Sequence, residues 1–208
     1  MTRVLLFGSS SRRGATGWTD PLPIRSLLAT LRPSVVAHGA SPSGGADALA
    51  DSEAEAASIP REPYPVDPAL DGPWPAAGMR RNGRMLATFR PQLAAGFVEG
   101  KVGQRVGTRG CYLSNGSDDM ARRCRAAKVP LVIVREGAVE PAEDPMALML
   151  ALYAVTREEA LVPAGKALRA WTRGEVAAEE VALALRCARE TSRAAAWLGA
   201  VEAAVRAG

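Results

Sequence analysis

Val35-Val36-Ala37-His38-Gly39-Ala40-Ser41-Pro42-Ser43-Gly44-Gly45-Ala46-Asp47-Ala48-Leu49-Ala50 sets the architecture expected of this 208-residue chain. It opens on a short apolar, β-branched run, the composition of a buried strand. A loop of Gly, Ser and Pro follows, and then an alanine-rich segment of helix-forming residues. Strand, small-residue loop and helix start, in that order, bring backbone N–H groups close to an anion. Small side chains permit the approach, and the first turn of a helix carries unpaired donors and a partial positive charge. Two readings stand side by side: a phosphate or ribose-phosphate site, and a tight βα connection of the kind any α/β protein needs. Asp47 falls in the first helical turn, where its charge suits the helix dipole without any ligand; it is equally placed to accept from a ligand hydroxyl.

Upstream, Arg3-Val4-Leu5-Leu6-Phe7 reads as a first buried strand, and Gly8-Ser9-Ser10-Ser11-Arg12-Arg13-Gly14 as the loop at its carboxyl end, where open α/β sheets place ligands. Gly8, Ser9 and Arg12 are candidate contacts. The loop lacks the Gly-Lys-Ser/Thr of a Walker A motif and is a poor match to Gly-x-Gly-x-x-Gly. Thr19 or Asp20 can cap a helix starting near Pro21, with Ile24, Leu27, Leu28 and Leu31 on one apolar stripe.

Downstream, a helix is expected from about Gly45 to Ser58 and a short strand around Arg61 to Tyr64. The proline- and glycine-rich segment 66–75 reads as a long loop, functional or mobile. A helix over 76–86 places Arg81 and Arg84 on one face, either solvated or clamping a phosphate. Leu93 to Val98 reads as a strand, and the glycine-rich segment 99–111 as a loop or hairpin. A helix then runs to Lys128 with Ser117 as its N-cap, and Val129 to Val134 is expected as the final strand. Strands alternating with helices predict an α/β protein with a mostly parallel sheet covered on both faces. Beyond Asp144 the chain turns helical. Residues 146–155 are apolar nearly all round, Pro163 and Gly165 read as punctuation before a short helix at 167–171, and Val181, Leu185 and Trp197 mark an amphipathic face over 175–207. This extension is expected to pack on the α/β domain or on a second subunit, and a homo-oligomer through the helical regions is expected.

Composition bounds the function. Hydrophobic residues make up 48% and charged residues 23%, an ordinary globular balance. The 26 Lys+Arg against 22 Asp+Glu leave +4, with arginine pairs at 12–13, 80–81 and 122–123 suited to phosphate. No strong basic block alternates with aromatics, so nucleic acid is not favoured as a partner. Cys111, Cys124 and Cys187 form no Cys-x-x-Cys pair and His38 is the sole histidine, which argues against a disulfide framework, a metal site or a Ser–His triad. The apolar run at Val4–Phe7 is too short for a signal-peptide core and no run reaches 18 residues, so a soluble, cytoplasmic protein without membrane association is expected.

Four ordered motifs resemble the SLOG superfamily, most closely its YspA/YpsA-like branch of small bacterial and phage proteins. Gly8-Ser9 followed by Trp18-Thr19-Asp20 is similar to that family's Gly-Ser/Gly-Arg loop and Trp/Tyr-Thr-Asp. His38-Gly39-Ala40 with Gly45-Ala46-Asp47-Ala48-Leu49-Ala50 resembles His-Gly-Gly-Ala-x-Gly-Ala-Asp-x-Leu-Ala, slightly lengthened. Ala77-Gly78 with Arg81-Asn82 and Met85-Leu86 follows Ala-Gly-x-x-Arg-Asn-x-x-Met-Leu, and Gly116-Ser117-Asp118-Asp119-Met120 looks like Gly-Thr-x-Asp-Met. The resemblance covers about 130 residues, so residues 1–137 are assigned to the SLOG-like nucleotide-binding domain and 144–208 to a helical C-terminal extension. It implies a Rossmann-like sheet binding a nucleotide or nucleotide-derived ligand at the carboxyl ends of its strands. Gly8, Ser9, Gly39, Gly45 and Asp47 would line one side, Arg81 and Asn82 would stand opposite, and Gly116 and Ser117 would meet phosphate. No cofactor is expected.

Some relatives, the LOG-type phosphoribohydrolases, cleave the N-glycosidic bond of nucleoside 5′-monophosphates with an arginine, whose place Arg81 fits, and a glutamate. The glutamate position falls on Met120, which can neither take nor give a proton. The leading expectation is therefore a binding module, a sensor or sponge, with a nucleotide-processing hydrolase using Asp47, Asp118 or Asp119 as the alternative. Single-stranded nucleic-acid binding, known in the DprA branch, is a third.

Overall fold

The computed structural model describes residues 2–10, 17–99, 115–135, 138–140, 142, 144–156, 158–192 and 194–207. Side-chain alternation along β1 (Arg3–Gly8) divides its core in two: Val4 and Leu6 join one apolar cluster, and Leu5 and Phe7 the other. A strand buried on both sides belongs at the centre of a sheet. It is flanked there by β2 (Val35–His38) and β4 (Leu93–Phe97), with β3 (Arg61–Pro63) beyond β2 and β5 (Leu131–Arg135) beyond β4. These five strands are parallel, and the two-residue β6 (Ala138–Val139) adds an antiparallel edge, giving the order β3-β2-β1-β4-β5-β6. The result is a Rossmann-like α/β arrangement with its topological switch between β1 and β4.

One face of the sheet is covered by α1 (Leu22–Leu31) and α2 (Ala46–Ala56), the other by α4 (Ala77–Phe89) and α5 (Asn115–Ala126), with the short α3 (Pro68–Asp71) leading into α4. The predicted stripe of α1 is buried at Ile24, Leu27, Leu28 and Leu31, and Asp20 Oδ1 accepts from the Leu22 N–H (2.9 Å) at its start. The C-terminal chain forms α6 (Pro145–Thr156), α7 (Leu161–Thr172), α8 (Ala178–Thr191) and α9 (Ala195–Ala207). Leu148, Leu152, Val181, Leu185, Trp197 and Val201 share one apolar cluster with Leu27 and Leu28, so this extension extends the core of the α1 face. Glu202 on α9 ties α8 to α9 by accepting from Arg189 Nη1 (3.1 Å), and it also takes Arg206 Nη2 (2.7 Å) from its own helix.

Several expectations are corrected. The segment 66–75 is not all loop: Asp67 caps α3 by accepting from the Ala69 N–H (2.9 Å), and Pro68 at the first helical position suits the helix. The next helix runs on to Phe89, because Phe89 and Met85 continue its buried face. Ser117 is not an N-cap but the third residue of α5. Leu131–Arg135 is not the final strand, since β6 pairs back on it. Pro163 and Gly165 do not interrupt the chain; they lie inside α7, Pro163 in the first turn where its missing N–H has no intrahelical partner to lose. The stretch 175–207 is two helices, α8 ending where Ser192 turns extended. Leu150 and Tyr153 leave part of α6 exposed. The glycine-rich segment 100–111 lies outside the described residues, as does Cys111; Cys124 is buried, its thiol pushed up to about 12 by desolvation, and Cys187 is exposed. No helix among the described residues is long and apolar enough to cross a membrane.

The strand ends converge at Gly8, paired with Phe97 on β4. A Cβ here would penetrate the Phe97 carbonyl oxygen and crowd Ala46 Cβ at 2.7 Å. The first obstacle is backbone inside a sheet and cannot rotate away. Gly8→Ala is expected to destabilise the protein by about 3 kcal/mol, an overpacking effect at the upper end of the usual range, read as a lowered denaturant midpoint.

Candidate functional site

A cleft of about 350 Å³ opens at the carboxyl ends of the parallel strands. Its floor and walls come from the end of β1 (Phe7, Gly8, Ser10), the loop after β2 (Gly39, Ala40, Ser41, Pro42), the connection after β3 (Pro65, Val66, Pro68, Trp74), α4 (Gly78, Arg81, Asn82, Met85) and the first turns of α2 (Asp47) and α5 (Gly116, Ser117, Met120). Seven of the residues proposed from the sequence therefore share one cavity: Gly8, Gly39, Asp47, Arg81, Asn82, Gly116 and Ser117. The size falls within the range of small-ligand sites, and the position is the crevice that open α/β sheets offer at a switch point.

Arg81 and Asp47 form the charged centre. Asp47 is 8% exposed, and its Oδ2 accepts from the Ser41 N–H at 3.2 Å. Arg81 Nη1 lies 4.0 Å from the same oxygen and donates to the Tyr64 carbonyl at 3.2 Å, while its buried Nε has no hydrogen-bond partner. Burial pushes the Asp47 carboxyl up despite the neighbouring Arg81 charge, and burial also holds the Arg81 guanidinium below its usual value. Neither charge is fully compensated by the other. The guanidinium lies against Gly39, where any Cβ would collide with it, so Gly39 makes room for Arg81 rather than for a tight turn.

Asn82 bridges the α4 and α5 sides of the cleft. Its Nδ2 donates to the Gly116 carbonyl (3.1 Å) and to Asp119 Oδ2 (3.1 Å), and Asp119 also takes Arg123 Nε at 2.8 Å. This fixes the first turn of α5 against α4. Asp118 pairs with Arg122 Nε at 3.1 Å one turn on. Met120 is buried and lines the cleft.

His38 is a positioning residue. The Ala40 N–H donates to Nδ1 (3.2 Å), which puts the ring proton on Nε2, facing Asp51 Oδ1 at 3.0 Å. Asp51 in turn accepts from Arg61 Nη1 at 3.1 Å. This chain holds Ala40 at φ 47°, a left-handed conformation that residues with a Cβ seldom adopt.

Three proposed contacts lie elsewhere. Ser9 is fully buried; its Oγ accepts from the Glu99 N–H (3.2 Å) and its carbonyl from Trp18 and Ala46, so it builds the site without lining it. Gly45 is likewise structural, at φ 82° and packed on the Ser9 carbonyl. Arg12 lies outside the described residues. Arg84 is turned from the cleft to Asp71 (2.7 Å), whose carboxyl it holds down to about 2, and to the Pro65 carbonyl (2.9 Å). Ser10, one of the loop serines able to contact a phosphate, lines the cleft; Pro42 and Trp74 were not singled out, although Trp74 lies in the segment 66–75 marked by its length and prolines. No protein-family model and no curated protein matches the chain.

A carboxyl whose folded-state pKa lies above its unfolded value lowers stability as the pH rises through that interval. Asp47→Asn keeps an acceptor for Ser41 and removes the buried charge. It is expected to raise the melting temperature at pH 7, with the gain shrinking as the pH falls toward the unfolded carboxylate value of about 3.9. An unchanged or lowered melting temperature at pH 7 would contradict this.

Proposed function

We propose that this chain is a SLOG-type binding module for a nucleotide or nucleotide-derived small molecule, acting as a sensor or sponge in a cytoplasmic setting. The carrying observation is Arg81, a largely buried guanidinium inside the cleft whose Nε has no partner and whose nearest carboxylate stays 4.0 Å away. A guanidinium drawn out of water with its nearest carboxylate 4.0 Å away keeps uncompensated charge, and an anionic group in the cleft that Arg81 lines gains a charge-assisted partner. The first turn of α5, with Gly116 and Ser117 on the cleft wall, adds backbone donors and a partial positive charge for the same anion. Asp47 supplies an acceptor for ribose hydroxyls, which balances the charge of the site and favours a sugar phosphate over inorganic phosphate.

Binding is favoured over turnover because the cleft holds a thioether at Met120, and Asp119 and Asp118 are committed to Asn82, Arg123 and Arg122. Calorimetric titration with mononucleotides, ADP-ribose derivatives and cyclic nucleotides is expected to find at least one ligand. Arg81→Gln is expected to weaken it roughly 10- to 150-fold, the range for a hydrogen bond to a charged group. Gly39→Ala, which drives the guanidinium from its seat, should weaken it similarly, and the double variant should add little, since both remove one interaction. No binding across the panel would refute the proposal.

One observation favours a second reading. Asp47 lines the cleft as a buried carboxyl with its pKa raised, the environment that suits a general acid. As a hydrolase the protein would release free base and ribose 5-phosphate from AMP or a related nucleotide, and Asp47→Asn would abolish the release. Intact nucleotide after prolonged incubation would exclude that activity for the nucleotides tried. We further infer self-association through the helical extension, where Leu150 and Tyr153 on α6 and Leu183 on α8 remain exposed.

A further inference from the structure

Trp74 is 66% exposed, yet it lines the cleft together with Pro42, Pro65, Val66 and Pro68. A large aromatic ring left in water at the rim of a cavity, among prolines, is not explained by the core, which it does not join. Its six-membered ring rests over Gly78 of α4, where even a Cβ would only reach van der Waals contact at 3.6 Å. The ring lies beside α4 at Gly78, and most of the side chain is open to solvent.

The sheet order separates this apolar rim from the polar end. Pro65, Val66, Pro68 and Trp74 follow β3 and α5 follows β4, and β2 and β1 stand between those two strands in the sheet. Gly39 and Asp47 follow β2, which lies between them, and Arg81 on α4 meets Asp47 and lies against Gly39 there. That sequence of chemistries — aromatic platform, carboxylate and guanidinium, helix first turn — matches a planar ring, a ribose and a phosphate joined in that order.

We propose that Trp74 is a specificity-determining residue that stacks on the planar heterocyclic base of a nucleotide whose sugar phosphate is held at Arg81, Asp47 and the first turn of α5. The proposal rests on the sugar-phosphate reading given above and names the part of the ligand that reading leaves open. Base recognition by stacking tolerates different bases, because each has a π face; larger purine rings gain more than pyrimidines from the same indole.

Titrations with AMP, UMP and ribose 5-phosphate, on the full chain and on Trp74→Ala and Trp74→Phe, test this. In the unaltered protein AMP is expected to bind more tightly than ribose 5-phosphate by roughly 5- to 150-fold, the measured range for one base on one aromatic ring, with UMP between them. Trp74→Ala should bring AMP down to the affinity of ribose 5-phosphate while leaving ribose 5-phosphate within about twofold, and Trp74→Phe should restore much of the difference. The exposure of Trp74 makes both variants compatible with folding, which circular dichroism checks. If AMP and ribose 5-phosphate both bind and Trp74→Ala leaves their ratio unchanged, the stacking role is overturned and the sugar-phosphate reading stands. If AMP, UMP and ribose 5-phosphate all fail to bind the unaltered protein, the stacking role is overturned, and the sugar-phosphate reading falls with it when the wider nucleotide panel also fails to bind. If Trp74→Ala instead shifts the sedimentation of the protein without altering the ratio, the rim is a protein contact and the stacking role is likewise overturned.

Discussion

Ser9 is the junction on which the cleft depends. Its N–H donates to the Phe97 carbonyl on β4 (2.9 Å), and its carbonyl accepts from Trp18 (3.1 Å) and from Ala46 at the start of α2 (3.1 Å). Its hydroxyl accepts from the Glu99 N–H beyond β4. One residue thus ties together the two strands at the switch point, the lead-in to α1 and the helix that carries Asp47. Such a crossing is possible only where the neighbours are small: Gly8 lies against the Phe97 carbonyl, and Gly45 against the Ser9 carbonyl. The N–H, carbonyl and hydroxyl of Ser9 all find partners within the protein, and this fixes the shape of the buried crossing.

The opposite economy holds a few ångströms away. Arg81 and Asp47 are both drawn out of water and neither is closely paired, so the centre of the cleft carries an electrostatic penalty that the surrounding fold sustains. The rigid junction and the under-satisfied pair belong together. Preorganised polar groups lose little on meeting a ligand only if the scaffold has already fixed them. Arg135 shows the contrasting solution: fully buried on β5, it is met by Glu140 and the Glu99 carbonyl, and it locks the β6 edge.

The helical extension contributes from a distance. By sharing an apolar cluster with α1 it adds to the core on the face of the sheet opposite α4 and α5, and none of its described residues lines the cleft. Its role in the described structure is support, with exposed Leu150, Tyr153 and Leu183 on its outer side.

Much of the framework was legible in the order of the residues. Apolar β-branched runs at 3–7 and 35–37 and the stripe of α1 identify buried strands and an amphipathic helix because periodicity and burial are linked by local geometry. Small residues at 8, 39 and 45 announced close approach of backbone at the strand ends. Why each is small was not legible. Gly39 accommodates a guanidinium contributed by Arg81, more than forty residues on, and Gly45 a carbonyl from the first loop. Likewise Ser9 and Ser10 are neighbours of the same type, and only the sheet determines that the first is buried in hydrogen bonds while the second faces the cleft. Asp118 and Asp119 were equivalent as acids in the sequence; packing of α5 on α4 commits Asp119 to Asn82. Trp74 was hidden because a lone aromatic in a proline-rich segment has no period to read. The alternation of strands and helices and the small-residue loops follow from local propensity and burial pattern, and so are written in the order of residues. Which side chains meet in the cleft depends on long-range packing, because those contacts join residues far apart in the chain whose charges and hydrogen bonds are set by burial.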